Sequence, residues 1–283
     1  MELKLFPSIF YKLAYYNKIK PKSLFYLLPK YYHKSIHKNP LWIFKKILKI
    51  EKSFGVNSTW FFISSKKDRF TLGSPLGNTN YRIYDDIVRN IMINLKENGH
   101  EIGLHTGYCS FNDYKLMKKE KLALEKTINS KVIGVRNHCL MFDFAKTWKI
   151  QNELGFKYDA TYGYNDFFGP RNGILYPFHG YDFTTNNWLS ILELPMSVMD
   201  GTFMLSSDYS FETILKKCLE TINSYSQNYG VMVLNFHPRF FDNIRYKNND
   251  KLYKKVLQYC IEKKAWITNC RDFFHWNQLF NVF

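Results

Sequence analysis

From Asn39 onward, apolar residues recur along the chain at two alternating spacings. Trp42, Ile43, Ile47, Leu48 and Ile50 recur at helical intervals, behind Asn39 as an N-cap and Pro40 at the first helical position. Residues 58–64 are short, with an apolar and aromatic centre at Trp60-Phe-Phe-Ile63, and read as a buried strand. The pattern then predicts helices at about 86–97, 113–128, 144–154, 211–225 and 250–262, with a last one near Asp272. Between them it predicts strands at 101–104, 132–135, near Tyr158, at 191–194, 231–236 and 266–268. Asn98-Gly99 is a typical helix stop.

Strands alternating with helices over short connections predict a parallel sheet covered by helices. Sites in such folds lie at the carboxyl ends of the strands. Four of these strand ends carry His105, then Arg136 and His138, then Asp159, then His237. A lone strand-end histidine is more often an ordinary polar residue than a ligand. A set of His, Arg and Asp converging on one rim is harder to assign to chance.

The first 39 residues differ in character. They are basic and aromatic and are broken by Pro7, Pro21 and Pro29, with short helices expected at 9–16 and 24–32. Such a segment suits either packing against the main domain or peripheral contact with a membrane surface. The expected organisation is therefore a basic aromatic helical segment over 1–39 and one domain over 40–283.

The 283 residues are 46% hydrophobic, enough for a sizeable core and against global disorder. The formal net charge of +16 bears on partners rather than fold, favouring anionic glycans, acidic lipid or nucleic acid. No recognised nucleic-acid motif accompanies it, so nucleic acid is not an expected partner. The cysteines Cys109, Cys139, Cys218, Cys260 and Cys270 are odd in number and show no CxxC spacing, which fits a reducing compartment. The start shows no basic region followed by an apolar run, and no stretch is apolar for long enough to span a bilayer, so a cytoplasmic location is expected.

Gly99-His-Glu-Ile-Gly-Leu-His105 places a tight turn before a strand that ends in imidazole, a common zinc ligand. Gly134-Val-Arg-Asn-His-Cys139 ends the next strand with a cation and a second imidazole. Leu234-Asn-Phe-His-Pro238 ends a later one with a third. In order and spacing these segments resemble the motifs of the polysaccharide deacetylases, the NodB-homology or carbohydrate esterase 4-like family. The resemblance covers roughly residues 40–276.

It implies an α/β fold, a distorted (β/α) barrel of the polysaccharide-deacetylase type, and a metal-dependent carbohydrate N-deacetylase. It further implies His105 as a ligand of a divalent metal, with zinc the expected ion. The second ligand of the family falls on Cys109, and His138 stands where the common pattern has proline, which makes it another candidate ligand. Arg136 would orient the catalytic carboxylate by bidentate pairing, and His237 would protonate the leaving amine. Asp159, in Gly155-Phe-Lys-Tyr-Asp-Ala-Thr161, could line the site or cap a turn. Arg171, in Arg171-Asn-Gly173, and Asp200, in Met199-Asp-Gly-Thr202, match a branch of the family as substrate contacts. His100 reads as structural.

The family's opening strand, ending in Asp-Asp or His-Asp-Val-Asp, has no counterpart before Ser58, where the acidic residues are Glu2 and Glu51. The expectation is a barrel without its first strand, in a chain that starts just after it. Asp85 or Asp86 would be a substitute base, and a catalytically inactive glycan-binding relative is the alternative. Two uncovered sheet edges would also favour an oligomer.

Overall fold

The computed structural model of the chain describes residues 41–64, 81–204, 209–241, 248–280 and residue 282. The expected 1–39 segment and the Asn39-Pro40 cap lie outside the described residues.

Helix α1 (Leu41–Phe54) turns Ile47 and Ile50 into the core, the face that its apolar spacing predicts. Strand β1 (Thr59–Ile63) follows. Helix α2 (Asp86–Glu97) buries Val88, Ile91, Met92 and Leu95 and stops at Asn98 and Gly99, the glycine at φ 85°. Strand β2 (Glu101–His105) leads to α3 (Tyr114–Ile128), whose N-cap Asp113 accepts the Leu116 amide N–H at 3.0 Å. Left-handed Asn129 ends that helix. Then come β3 (Gly134–Arg136), α4 (Thr147–Glu153) and β4 (Tyr158–Asp159).

The hairpin β5 (Phe178–Asp182) and β6 (Asn187–Glu193) precedes β7 (Met196–Met199) and the short α5 (Asp200–Met204). Helix α6 (Phe211–Gln227), β8 (Val233–Asn235), α7 (Asn249–Glu262) and α8 (Cys270–Phe280) complete the order.

Six strands form one sheet in the order β1-β2-β3-β4-β6-β5, parallel except for β5. β7 and β8 form a parallel pair of their own. The chain crosses from one sheet to the other through Leu194-Pro195. The segment beyond β4 accompanies it: Leu194 donates its N–H to Asp159 O at 2.8 Å, and Met196 donates to Tyr162 O at 2.8 Å. Leu192, Leu194, Met196 and Val233 share one apolar cluster with Tyr158 and Ala160, so the two sheets bend around a common interior.

This is the α/β architecture of a parallel sheet clothed in helices. Among the described residues no strand lies between β8 and β1.

Three strands differ from the sequence expectation. Residues 266–268 form no ladder. Lys264 takes a left-handed φ of 57°, Ala265 N–H turns back to Cys260 O, and Asn269 already caps α8 by accepting the Asp272 N–H. The short link between two helix caps leaves no length for pairing. Strand β5 was unforeseen because its register shifts between His179 and Tyr181, which breaks the alternation. Strand β7 was unforeseen because Met196–Met199 is too short to show a period. No helix among the described residues is long and apolar enough to cross a membrane.

Candidate active site

All strands of the two sheets except β5 run parallel to a neighbour. His105 ends β2, Arg136 ends β3, Asp159 ends β4, Glu193 ends β6, Asp200 follows β7 and His237 follows β8.

His105 and His138 come together, with His105 Nε2 lying 3.2 Å from His138 Nδ1. His105 Nδ1 lies 2.8 Å from the Arg136 carbonyl oxygen, so that nitrogen carries the proton and Nε2 presents a lone pair. Burial first, and then the neighbouring His138, hold His105 well below the usual histidine range. A backbone carbonyl that fixes the far nitrogen of an imidazole is the usual second support of a ligating histidine. Two ligand nitrogens on a tetrahedral zinc ion stand about 3.3 Å apart at ordinary Zn–N lengths, close to the spacing found here. The histidine pair thus fits two positions of a metal site. Cys109 is exposed on the following loop, and no group of three or more His, Cys, Asp or Glu side chains able to hold a metal is formed among the described residues.

The loop bearing His138 is held from below. Thr106 Oγ1 donates to Asn137 Oδ1 at 3.1 Å, and Asn137 N–H donates to Thr161 Oγ1 at 2.8 Å. The Thr161 hydroxyl in turn donates to Asp159. Cys139 and Leu140 both take φ 54°, a left-handed pair without glycine. The buried Leu140 side chain and the Met141 N–H bond to His138 O at 3.2 Å hold this turn in place.

His237 pairs with Asp200. Its Nδ1 is 2.6 Å from Asp200 Oδ1, and its backbone N–H donates to Asp200 Oδ2 at 2.5 Å. Asp200 is buried while the His237 side chain is partly exposed. The carboxylate therefore points at the imidazole and away from solvent, not at an incoming ligand as the substrate-contact expectation had it.

Arg136 is buried, and its donors go to neutral oxygens: Nε to Ala160 O at 2.8 Å and Nη1 to Asn235 Oδ1 at 3.0 Å. The guanidinium lies 4.4 Å over the Phe61 ring. The expected bidentate carboxylate contact is absent among the described residues, because the guanidinium ties β3 to β8 instead. Asp85, a conjectured substitute base, is taken up by Arg82, accepting its N–H at 3.0 Å and its Nε–H at 3.1 Å.

Asp159 and Glu193 are register partners on β4 and β6, both fully buried beneath the rim. Burial, opposed by the Thr161 hydroxyl, pushes Asp159 up to about 6. Burial and then the Asp159 charge push Glu193 well above the usual carboxylate range. Trp148 Nε1 and Tyr162 N donate to Glu193 at 2.9 and 3.0 Å. Asp159 is thus a buried floor group. Glu193, Asn235, Thr161 and Asn137 were not singled out from sequence. A glutamate inside the otherwise apolar run 191–194 was the one available sign.

Phe142, Phe144 and Tyr162 form a wall on the same face, with ring centroids 5.2 to 6.0 Å apart. Arg171 lies 5.1 Å over the Tyr162 ring. His100 has a packing role: its Nδ1 accepts the Ser58 N–H at 3.1 Å, beside buried Glu51.

No family model matches the chain. No curated protein matches it. Solved structures do. A candidate polysaccharide deacetylase from Mycobacterium smegmatis is 19% identical with a TM-score of 0.60, covering 86% of this chain and 79% of that one. A second, from Pseudomonas aeruginosa PAO1, is 15% identical with a TM-score of 0.59, covering 83% and 73%. Puue allantoinase is likewise 15% identical with a TM-score of 0.59, covering 85% and 73%. With parallel strands bringing three histidines and an arginine to one rim, the chain has the fold of the polysaccharide deacetylase structures.

Proposed function

We propose that the protein is a carbohydrate N-deacetylase that hydrolyses the acetamide of an N-acetylated sugar. The observation that carries the reading is the pair of pairs: His105 against His138, and His237 against Asp200, at neighbouring strand ends. His105 and His138 would hold a divalent metal, zinc by their donor chemistry. Such an ion, when bound, polarises an acetyl carbonyl and lowers the pKa of water.

The chain's own contribution to bond cleavage is His237. Its Nδ1–H is held by Asp200, so Nε2 is the atom free to carry a proton to the departing amine. Water adds to the acetyl carbon, the C–N bond breaks, and acetate and the protonated amino sugar leave. Arg136 acts as a positioning residue: it fixes β8, and so His237, relative to β3 and His138. The aromatic wall would receive the sugar face, with Arg171 at its edge.

One observation favours a second reading, a glycan-binding protein without hydrolysis. No carboxylate among the described residues joins the two histidines as metal ligand or base. Zinc content and acetate release from N-acetylglucosamine oligomers, measured on the full chain, separate the two. Acetate release with one zinc per chain supports the hydrolase. Glycan binding with no acetate release overturns it in favour of the second reading.

A further inference from the structure

Besides buried Arg136, the rim carries two arginines that have no carboxylate partner among the described residues. Arg171 sits in the loop 163–173, which is fixed at three points. Gly169 N–H donates to Ser197 O at 2.7 Å, the Tyr164 hydroxyl donates to Arg171 O at 2.7 Å, and Thr202 Oγ1 donates to Asn165 O at 2.9 Å. Its guanidinium rests on Tyr162 and forms no ion pair among the described residues. Arg239 is exposed in the 3-10 turn Pro238–Phe241, directly after His237. Its guanidinium lies 4.9 Å from the Phe240 ring. One arginine therefore lies against the segment beyond β4, and the other in the turn directly after His237.

Among the described residues the acidic groups on this face do not balance them. Asp159 and Glu193 are buried in the floor, and Asp200 is engaged by His237. Asp143 accepts the Ala145 N–H at 3.0 Å and lies 4.0 Å from Lys146. Asp166 is exposed on the Arg171 loop and makes no ion pair with that arginine. A guanidinium held against an aromatic face is partly desolvated and pre-oriented, the state in which it binds carboxylate or phosphate in bidentate fashion. The net charge of +16 extends the same preference to longer range.

We propose that the glycan bound here is anionic, with carboxylate or phosphate groups on units flanking the N-acetylated sugar, one side held by Arg171 and the other by Arg239. This rests on the deacetylase reading for the sugar at His237 and adds the chemistry of its neighbours. Neutral N-acetylated oligomers would fill the aromatic wall and leave both arginines unmatched.

The test is calorimetric titration of the full chain with three oligosaccharides of equal length. One alternates N-acetylglucosamine with glucuronate, one is a phosphate-bearing N-acetylglucosamine oligomer, and one is a neutral N-acetylglucosamine oligomer. At least one anionic glycan is expected to bind about tenfold or more tightly than the neutral one, with the gap closing at high salt. The charged arm that wins identifies carboxylate or phosphate as the group recognised.

The variants R171Q and R239Q should each lose part of the preference, and the double variant nearly all of it. R171K should keep the charge-dependent part and lose the bidentate part. Thermal melting of each variant guards against misfolding. Equal affinity for all three glycans overturns the proposal and leaves the deacetylase reading standing. A preference that survives in the double variant overturns it as well. Binding of none of them overturns both.

Discussion

His237 Nδ1 lies 2.6 Å from Asp200 Oδ1, and the same carboxylate takes His237's own backbone N–H at 2.5 Å. One buried carboxylate thus sets both the ring and the chain position of the partly exposed imidazole. Asp200→Asn keeps the shape but can present an amide N–H toward Nδ1, which would turn the ring or force the other tautomer. Acetate release should fall by about a hundredfold or more, while affinity for the glycan stays within about threefold. Steady-state kinetics beside glycan titration measures both. A variant as active as the parent would remove His237 from the proton-donor role.

Zinc should bind at one ion per chain and be lost in both His105→Ala and His138→Ala. Metal analysis after dialysis is the measurement, read alongside glycan binding as a control for folding. Zinc retained by both variants would place the metal elsewhere.

Arg136 joins β3 to β8 through Asn235 and to the segment beyond β4 through Ala160. Arg136→Met fills much of the volume but leaves two buried oxygens without their donors. A loss of about 2–4 kcal/mol of stability is expected, measured by urea unfolding. A loss below about 0.5 kcal/mol would show that those oxygens find other donors.

Gly134 opens β3 where a Cβ would come within 2.0 Å of the Tyr158 hydroxyl oxygen. Tyr158 is fully buried, so it cannot swing aside. Gly134→Ala should cost about 3 kcal/mol or more, or prevent folding, as overpacking of a core strand does. Gly55→Ala gives a comparison: nothing lies within 4 Å of its Cβ, and its φ of 67° leaves only the smaller backbone cost.

Glu51 is buried with Tyr253 and Ser58 donating to it, and burial pushes it up to about 7. Its folded value lies above the unfolded one, so its contribution is full in acid and is lost as pH rises toward and through 7. Glu51→Gln does not titrate. The stability of the variant relative to the parent should therefore improve by about 2 kcal/mol between pH 5 and pH 8. Thermal melts of both proteins across that range provide the check. A gap that does not change with pH would mean Glu51 ionises as freely in the folded chain as in the unfolded one.

The parts legible in the sequence are those in which a long period or a strong stop signal decides the local structure. Helix α2 was expected at 86–97 and lies at Asp86–Glu97, because four buried residues at helical spacing meet Asn98-Gly99. Strand ends were legible because an apolar run that closes on histidine or arginine is itself a sign of a sheet rim. Pair geometry was not. Nothing in the sequence says that Arg136 bonds to Asn235, since the two are 99 positions apart. Nor does it say that Asp200 serves His237 rather than a substrate. Both depend on β7 and β8 forming a small sheet of their own, and strands of three or four residues carry no period to read.

That small sheet has a consequence for how the protein can be studied. The histidine pair belongs to one sheet and the His237–Asp200 pair to the other, and Arg136 and the Leu194-Pro195 crossing are links between them. A molecule that grips both pairs acts as a clamp across the two sheets. Its occupancy will be read out as resistance of the whole chain to heat, in proportion to the logarithm of ligand concentration above its Kd. A melting-temperature screen of sugars can therefore find the natural ligand without any assay for the reaction.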